Sequence, residues 1–193
     1  MMVYKIECEL NGMRELRPIK FDFEKQKNWF EGNPMSGIFN EKEEKFIAAQ
    51  LKRKYMDFFN GASTLCLGTR AFEIIGPSMS KYGEFFKVEI MNLREPDKYA
   101  FLYNLTTILN PFHPSKSLWS FDYKGNKDRP IHFVFKKNKI TTPLFSVPNG
   151  HIEYGIYWEP FCTDGLLPPE EEFYHIYQNS GLKGLRFKEI ELT

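Results

Sequence analysis

The sequence predicts an α+β fold, one domain over residues 1–193 built on a mostly antiparallel twisted sheet with flanking helices. Three observations lead to it. Apolar residues alternate with period two at the amino terminus and again from Leu118 onward, as in strands with one covered face. Segments near 40–60, 97–109 and 170–180 carry apolar residues at helical spacing. Two stretches about a hundred residues apart also match weakly, which suggests an internal helix-turn-strand duplication. A chain of 193 residues is long enough to bury about 70% of its unfolded surface in one core.

Taken in order, Tyr4, Ile6, Cys8 and Leu10 alternate with Val3, Lys5, Glu7 and Glu9, a strand with one polar face. Residues 11–39 are punctuated by Asn-Gly, Arg-Pro and Gly-Asn-Pro and read mostly as loop. Asn40 with Glu43 offers a capping box, and Phe46, Ile47, Leu51, Tyr55 and Phe58 follow at helical spacing until Asn60-Gly61. Phe86, Val88 and Ile90 alternate as a strand. Glu95-Pro96-Asp97 opens a second expected helix through Tyr99, Leu102, Leu105 and Leu109, stopped by Asn110-Pro111.

From Leu118 three stripes follow: Trp119, Phe121, Tyr123, then Ile131, Phe133, Phe135, then Ile152, Tyr154, Ile156, Trp158. Turn residues between them predict a β-meander over 118–158. Pro168-Pro169 and three glutamates then open a last helix at 170–180, with the acids at its positive end. Offset by 101 residues, Leu65, Phe72, Ile75, Gly83, Phe86 and Lys87 fall on Leu166, Phe173, Ile176, Gly184, Phe187 and Lys188. Phe187 and Ile190 differ in parity, so a bulge near Lys188-Glu189 is expected in the second copy.

The heptapeptide Gly181-Leu182-Lys183-Gly184-Leu185-Arg186-Phe187 invites a phosphate-loop reading. Phosphate loops place glycines before a helix, where free N–H groups face the anion. Here the glycines follow a helix, so Gly181 reads as a left-handed stop with Leu182 as its apolar contact.

Twenty-six basic against 25 acidic side chains leave a net charge of +1, which gives no push toward nucleic acid or an anionic membrane. Neither is expected as a partner. The amino terminus is charged by its fifth residue and no stretch approaches the length of a membrane span, so a cytoplasmic protein is expected. Cys8, Cys66 and Cys162 are odd in number and widely spaced, which suits three free thiols.

Glu172 and His175 form a Glu-x-x-His pair, half of a carboxylate metal motif whose other half the sequence does not supply. Cys162 lacks the flanking base of a nucleophile, and no phosphate-loop, dinucleotide or hydrolase motif occurs. No catalytic residue, metal or cofactor is therefore expected, and no enzyme. A small-ligand pocket or enzyme site among the aromatics and a general interaction adaptor stand as alternatives.

Charge is unevenly placed. Residues 116–139 hold seven bases and two acids, whereas residues 140–182 hold six acids and neither lysine nor arginine. Tyr157, Trp158, Phe161 and Phe173 interleave with Glu159, Asp164, Glu170 and Glu171, an acidic aromatic segment suited to docking a basic protein.

The chain resembles immunity protein family eleven of bacterial polymorphic toxin systems, first catalogued as a domain of unknown function. Four stretches carry the resemblance: VYKIECEL, GEFFKVEI, KYAFLYNLTTILN with Asp122 shortly after, and GLKGLRF behind the last helix. It leaves out the loops at 11–39 and 159–169, and PFCTDGLLPP reads as an insertion. The resemblance implies a cytoplasmic antidote that binds a cognate protein toxin and blocks it by occlusion, without catalysis. It carries over no active-site residues.

Overall fold

A computed structural model describes residues 1–9, 14–20, 33–49, 57–61, 64–121, 127–147 and 160–193. In chain order the strands begin with β1 (Met2–Cys8), β2 (Glu15–Pro18), β3 (Lys45–Ala49), β4 (Phe58–Gly61) and β5 (Leu65–Gly68). Helix α1 (Thr69–Met79), β6 (Gly83–Ile90), β7 (Tyr99–Leu105), β8 (Leu118–Phe121), β9 (Lys127–His132), β10 (Val134–Phe135) and β11 (Leu144–Ser146) follow. The chain then forms β12 (Pro160–Asp164), a 3₁₀ turn (Pro169–Glu171), α2 (Phe173–Ser180), β13 (Leu185–Glu189) and β14 (Glu191–Leu192).

The fold is α+β and mostly sheet, with antiparallel pairs outnumbering parallel ones eight to three among the described strands. Six strands close a barrel in the order β2-β3-β6-β7-β5-β4. Alternation fills it: Leu16, Phe46, Ala48, Phe59, Cys66, Phe86, Val88, Ile90, Ala100 and Leu102 form one buried cluster with Met35. The intervening residues Phe58, Leu65, Leu67, Tyr103 and Leu105 belong to a second cluster with Ala71, Ile75 and Met79 of α1 and Phe173 and Tyr177 of α2. The same cluster takes in Ile6, Leu144, Cys162 and Leu185. These four come from a second sheet ordered β11-β12-β1-β13. The two helices thus lie between the barrel and this sheet.

The second sheet is covered on both faces. Val3, Phe145, Phe161 and Ile190 pack with Phe135, Ile140 and Val147 in a third cluster, against which Phe112 and Phe133 also rest. The parity change between Phe187 and Ile190 is therefore a change of core and needs no bulge. Ile190 N–H donates to Val3 O at 2.9 Å, which continues the regular pairing of Tyr4 with Glu189 and Ile6 with Phe187.

The duplicated pattern corresponds to α1 leading into β6 and α2 leading into β13, and the two helices pack on each other. Gly181 closes α2 at φ 67° and Leu182 is buried, so the heptapeptide is the expected helix stop. At Gly83, the counterpart of Gly184, a Cβ would stand 2.9 Å from the Tyr103 ring and closer still to the Asn104 carbonyl. Because that carbonyl is fixed backbone, Gly83→Ala is expected to lower stability by about 2 kcal/mol, read as a shifted urea midpoint with unchanged slope.

Two expected helices are strands instead. Within 40–60, β3 pairs antiparallel with β2 and β4 with β5, and residues 50–56 lie outside the described residues. Asn40 does not cap a helix: its carbonyl accepts from the Glu43 and Glu44 N–H groups and its Oδ1 from Lys42 N–H, closing a turn. Phe46 and Ala48 point into the barrel while Ile47 is exposed, a period of two. Within 97–109, β7 lies between β5 and β6. It is buried on both faces, Ala100 and Leu102 inward and Tyr103 and Leu105 toward α1. A strand covered on both sides reads as a continuous apolar run, which helical spacing fits by accident.

The meander is corrected as well. β8 pairs with β9, but β10 pairs parallel with β14 and β11 joins β12. Residues 148–159, with the stripe Ile152 to Trp158, lie outside the described residues. Among the described residues no helix is long and apolar enough to cross a membrane.

Candidate partner-binding surface

The acidic segment is organised by one buried carboxylate. Glu172 is the residue before α2, in extended backbone, and is fully buried. Its carboxylate turns back on the preceding loop and accepts from the N–H groups of Gly165 (2.6 Å), Leu166 (2.8 Å) and Leu167 (3.1 Å) and from Thr163 Oγ1 (2.9 Å). Burial alone would raise its pKa, but these hydrogen bonds from backbone and Thr163 outweigh it and hold the carboxyl below its ordinary value. Glu172 is thus an ionised strut tying the end of β12 to the start of α2.

Asp164, the last residue of β12, and His175, in the first turn of α2, close the same junction. His175 Nε2 lies 2.9 Å from Asp164 Oδ1 and 3.9 Å from Glu172 Oε2. The ligand atoms of these three residues lie within 4.8 Å of one another, so they are the donors a metal ion would use here. Glu172, however, already accepts four hydrogen bonds and His175 Nε2 is engaged by Asp164. The donor set fits a structural junction better than a metal centre.

Beside this junction lie two tyrosines. Tyr4 of β1 and Tyr174 of α2 stack with centroids 4.5 Å apart and planes inclined by 14°. Phe187 stands edge-on to both, and the His175 ring stands edge-on to Tyr174. Burial, followed by Tyr174 and the charges of Asp164 and Glu189, pushes the Tyr4 hydroxyl up to about 12, so it is a protonated donor at neutral pH. Glu170, Glu171 and Glu189 are exposed, with Glu171 3.6 Å from Lys81. The result is a stacked aromatic pair, both rings partly exposed, beside Asp164 and Glu189.

Against the sequence expectation the segment divides three ways. Glu170 and Glu171 are exposed and Asp164 is partly buried. Tyr157, Trp158 and Glu159 lie outside the described residues. Phe161 and Phe173 are corrected: they are 0% and 2% exposed, Phe161 among Phe133, Phe135 and Phe145, and Phe173 against Tyr177 and Phe187. Neither presents a face to a partner. Sequence reasoning missed Tyr4, Tyr174 and Glu189. The available signal was helical period: Phe173 and Tyr177, four apart, share the buried face, which leaves Tyr174 at its border.

The thiols are free. Cys162 is completely buried, and burial followed by the charges of Glu172 and Asp164 pushes its pKa up. It is a protonated core thiol, not a nucleophile. No family model and no curated protein matches the chain.

Proposed function

We propose that this chain is a non-catalytic immunity protein that neutralises a cognate bacterial toxin by covering it, and that the surface around Tyr4 and Tyr174 makes part of the contact. The observation that carries this reading is the stacked tyrosine pair with the charges of Asp164 and Glu189 acting on Tyr4, on a molecule that also exposes Glu170 and Glu171 in the turn before α2. Tyrosine contributes large contact area at low entropy cost and a hydroxyl for pairing, and is enriched at binding hot spots. The four carboxylates suit a basic partner face. The Glu172 strut holds α2 against β12, so the patch is organised before a partner arrives, which lowers the entropic cost of binding. The resemblance to immunity proteins supplies the class of partner, and the cytoplasm is the compartment that reading implies.

Expressing the toxin reading frame beside this gene, with and without the chain, tests the proposal. Growth is expected to be restored by the chain and to fail again with Tyr174→Ala combined with Glu170→Lys and Glu171→Lys. Lethality unchanged by the wild-type chain would sink it, and an adaptor whose partner is not a toxin would give that result.

A further inference from the structure

The sheet ordered β11-β12-β1-β13 ends on β13, and the pairing of that strand shows which of its main-chain groups are used. Ile190 N–H donates to Val3 O (2.9 Å) and Glu9 N–H to Gly184 O (2.8 Å). Bonded pairs recur at every second residue of an antiparallel ladder, so those between are Lys5 with Lys188 and Glu7 with Arg186. Leu185, Phe187 and Glu189 therefore turn their N–H and C=O groups outward, away from β1. At Leu185 both groups are taken by the Tyr177 hydroxyl, which accepts from the N–H (3.0 Å) and donates to the carbonyl (3.4 Å). Phe187 and Glu189 have no main-chain partner on that side among the described residues. The opposite edge is closed at Ser146 of β11, whose N–H donates to Thr107 O and whose carbonyl accepts from Leu109 N–H, both at 2.9 Å. Arg186 and Lys188 lie on the face of Val3 and Ile190; both are exposed, and neither is held in an ion pair among the described residues. The acids on β1 and its continuation, Glu7 and Glu9, lie one strand in, and Glu7 is 3.8 Å from Lys5. On the helix face Phe187 is half-buried, edge-on to Tyr4 and Tyr174, and Glu189 is exposed.

We infer that the β13 edge takes an extended segment of a partner protein as an added antiparallel strand, with carboxylates at every second position and apolar side chains between them. The outward N–H and C=O groups of Phe187 and Glu189 supply the pairing, as an open sheet edge does for an incoming strand. The other pairs in this sheet are antiparallel, which sets the direction. An added strand continues the pleat, so its side chains on one face meet Arg186 and Lys188 and those on the other meet Phe187 and Glu189. Carboxylates are attracted on the first face and repelled by Glu189 on the second, which selects alternation over a merely acidic sequence. A second copy fits less well, because β13 paired antiparallel with itself about Phe187 sets Arg186 opposite Lys188, and like charges across a ladder repel. The edge is defined by main-chain pairing and does not rest on the toxin reading.

Full-length protein titrated with a labelled short peptide of alternating glutamate and valine, read by fluorescence anisotropy, tests this. The alternating peptide is expected to bind at least about ten-fold more tightly than a lysine-valine counterpart or the same composition with its glutamates contiguous. Its valines oppose Phe187 and Glu189, so N-methylation of the valine amides should weaken binding at least about ten-fold, whereas N-methylation of the glutamate amides should not. Glu189→Pro removes one outward N–H and leaves the pairing with β1, as proline on an edge strand does; it should weaken binding about ten-fold, and Glu189→Ala should not. Arg186→Glu with Lys188→Glu should reverse the preference between the glutamate and lysine peptides. Thermal melts verify that the variants fold, and the N-methylation comparison on wild type decides the matter if Glu189→Pro does not. Binding that ignores valine N-methylation, or that a folded Glu189→Pro variant retains in full, overturns the inference. Equal binding of the lysine peptide overturns it as well, as do dimers of the free protein that Glu189→Pro abolishes. Toxin is absent from every arm, so these outcomes leave the Tyr174 test untouched.

Discussion

Glu172→Ala is expected to remove about 3 kcal/mol of stability, and Glu172→Gln nearly as much. Alanine leaves three backbone N–H groups and the Thr163 hydroxyl facing a gap where a carboxylate accepted them all. A buried donor left unpaired costs about 1–3 kcal/mol, and hydration of a relaxed 165–167 loop recovers part of the sum. Glutamine keeps the shape, but its NH₂ must face donors, either Gly165 N–H at one oxygen or Thr163, Leu166 and Leu167 at the other, and two donors repel. The carboxyl also makes stability depend on pH. Its pKa is lowered in the folded state, so its contribution is fully present above the ordinary carboxylate value of about 4.3 and is lost as pH falls through the folded value. Urea midpoints measured from pH 7 downward should therefore fall for the wild type below about pH 4.3 more steeply than for Glu172→Gln. Parallel curves would contradict the strut.

Asp57→Ala is the second large effect expected, a loss of about 2–3 kcal/mol. Asp57 is 5% exposed and carries two loads. Its carboxylate takes both oxygens to Arg70 Nη1 at 2.9 and 3.0 Å, and Oδ2 accepts the Lys183 N–H at 2.7 Å. Arg70 in turn donates through Nη2 to Ser180 O at the end of α2. One acid thus pins the glycine-bearing heptapeptide to the barrel. The Arg70 side chain is half exposed, so its charge stays hydrated after the substitution, and the loss comes chiefly from the Lys183 N–H and the slackened end of α2. Asp57→Asn retains an acceptor for that N–H and should lose about half as much. Equal losses in the two variants, read from urea denaturation, would mean that the ion pair dominates.

What was legible in the sequence was whatever local chemistry decides. β1 and the body of α2 follow from period and from glycine and proline punctuation, and Gly181 takes the left-handed conformation that a helix stop requires, but α2 starts at Phe173 and not at 170, so the glutamates lie in a 3₁₀ turn and at the cap and none is in its first turn. The α1–β6 and α2–β13 units were visible as a weak repeat because each needs a glycine where its strand begins. The barrel was not legible. β7 is covered on both sides, so Tyr99, Leu102 and Leu105 matched a helical spacing that had no role in folding, and Asn40 used its capping chemistry for a turn. At the candidate surface the acids at 170 and 171 were legible because an exposed turn precedes α2. The aromatic anchors were less so: helical period groups Phe173 with Tyr177 and leaves Tyr174 at the border of the buried face, but no local pattern brings Tyr4 of β1 beside it. Asp164 and His175 meet only because β12 and α2 are brought together by the strut at Glu172.

The central proposal is that a protein toxin docks on the stacked tyrosines, and its most direct measurement is calorimetric titration of that proposed partner with wild type and with Tyr174→Ala. A hot-spot tyrosine predicts at least about 2 kcal/mol, roughly a thirty-fold loss of affinity, in a variant that still folds although it loses the stack on Tyr4. Undiminished affinity in a folded Tyr174→Ala variant would contradict it.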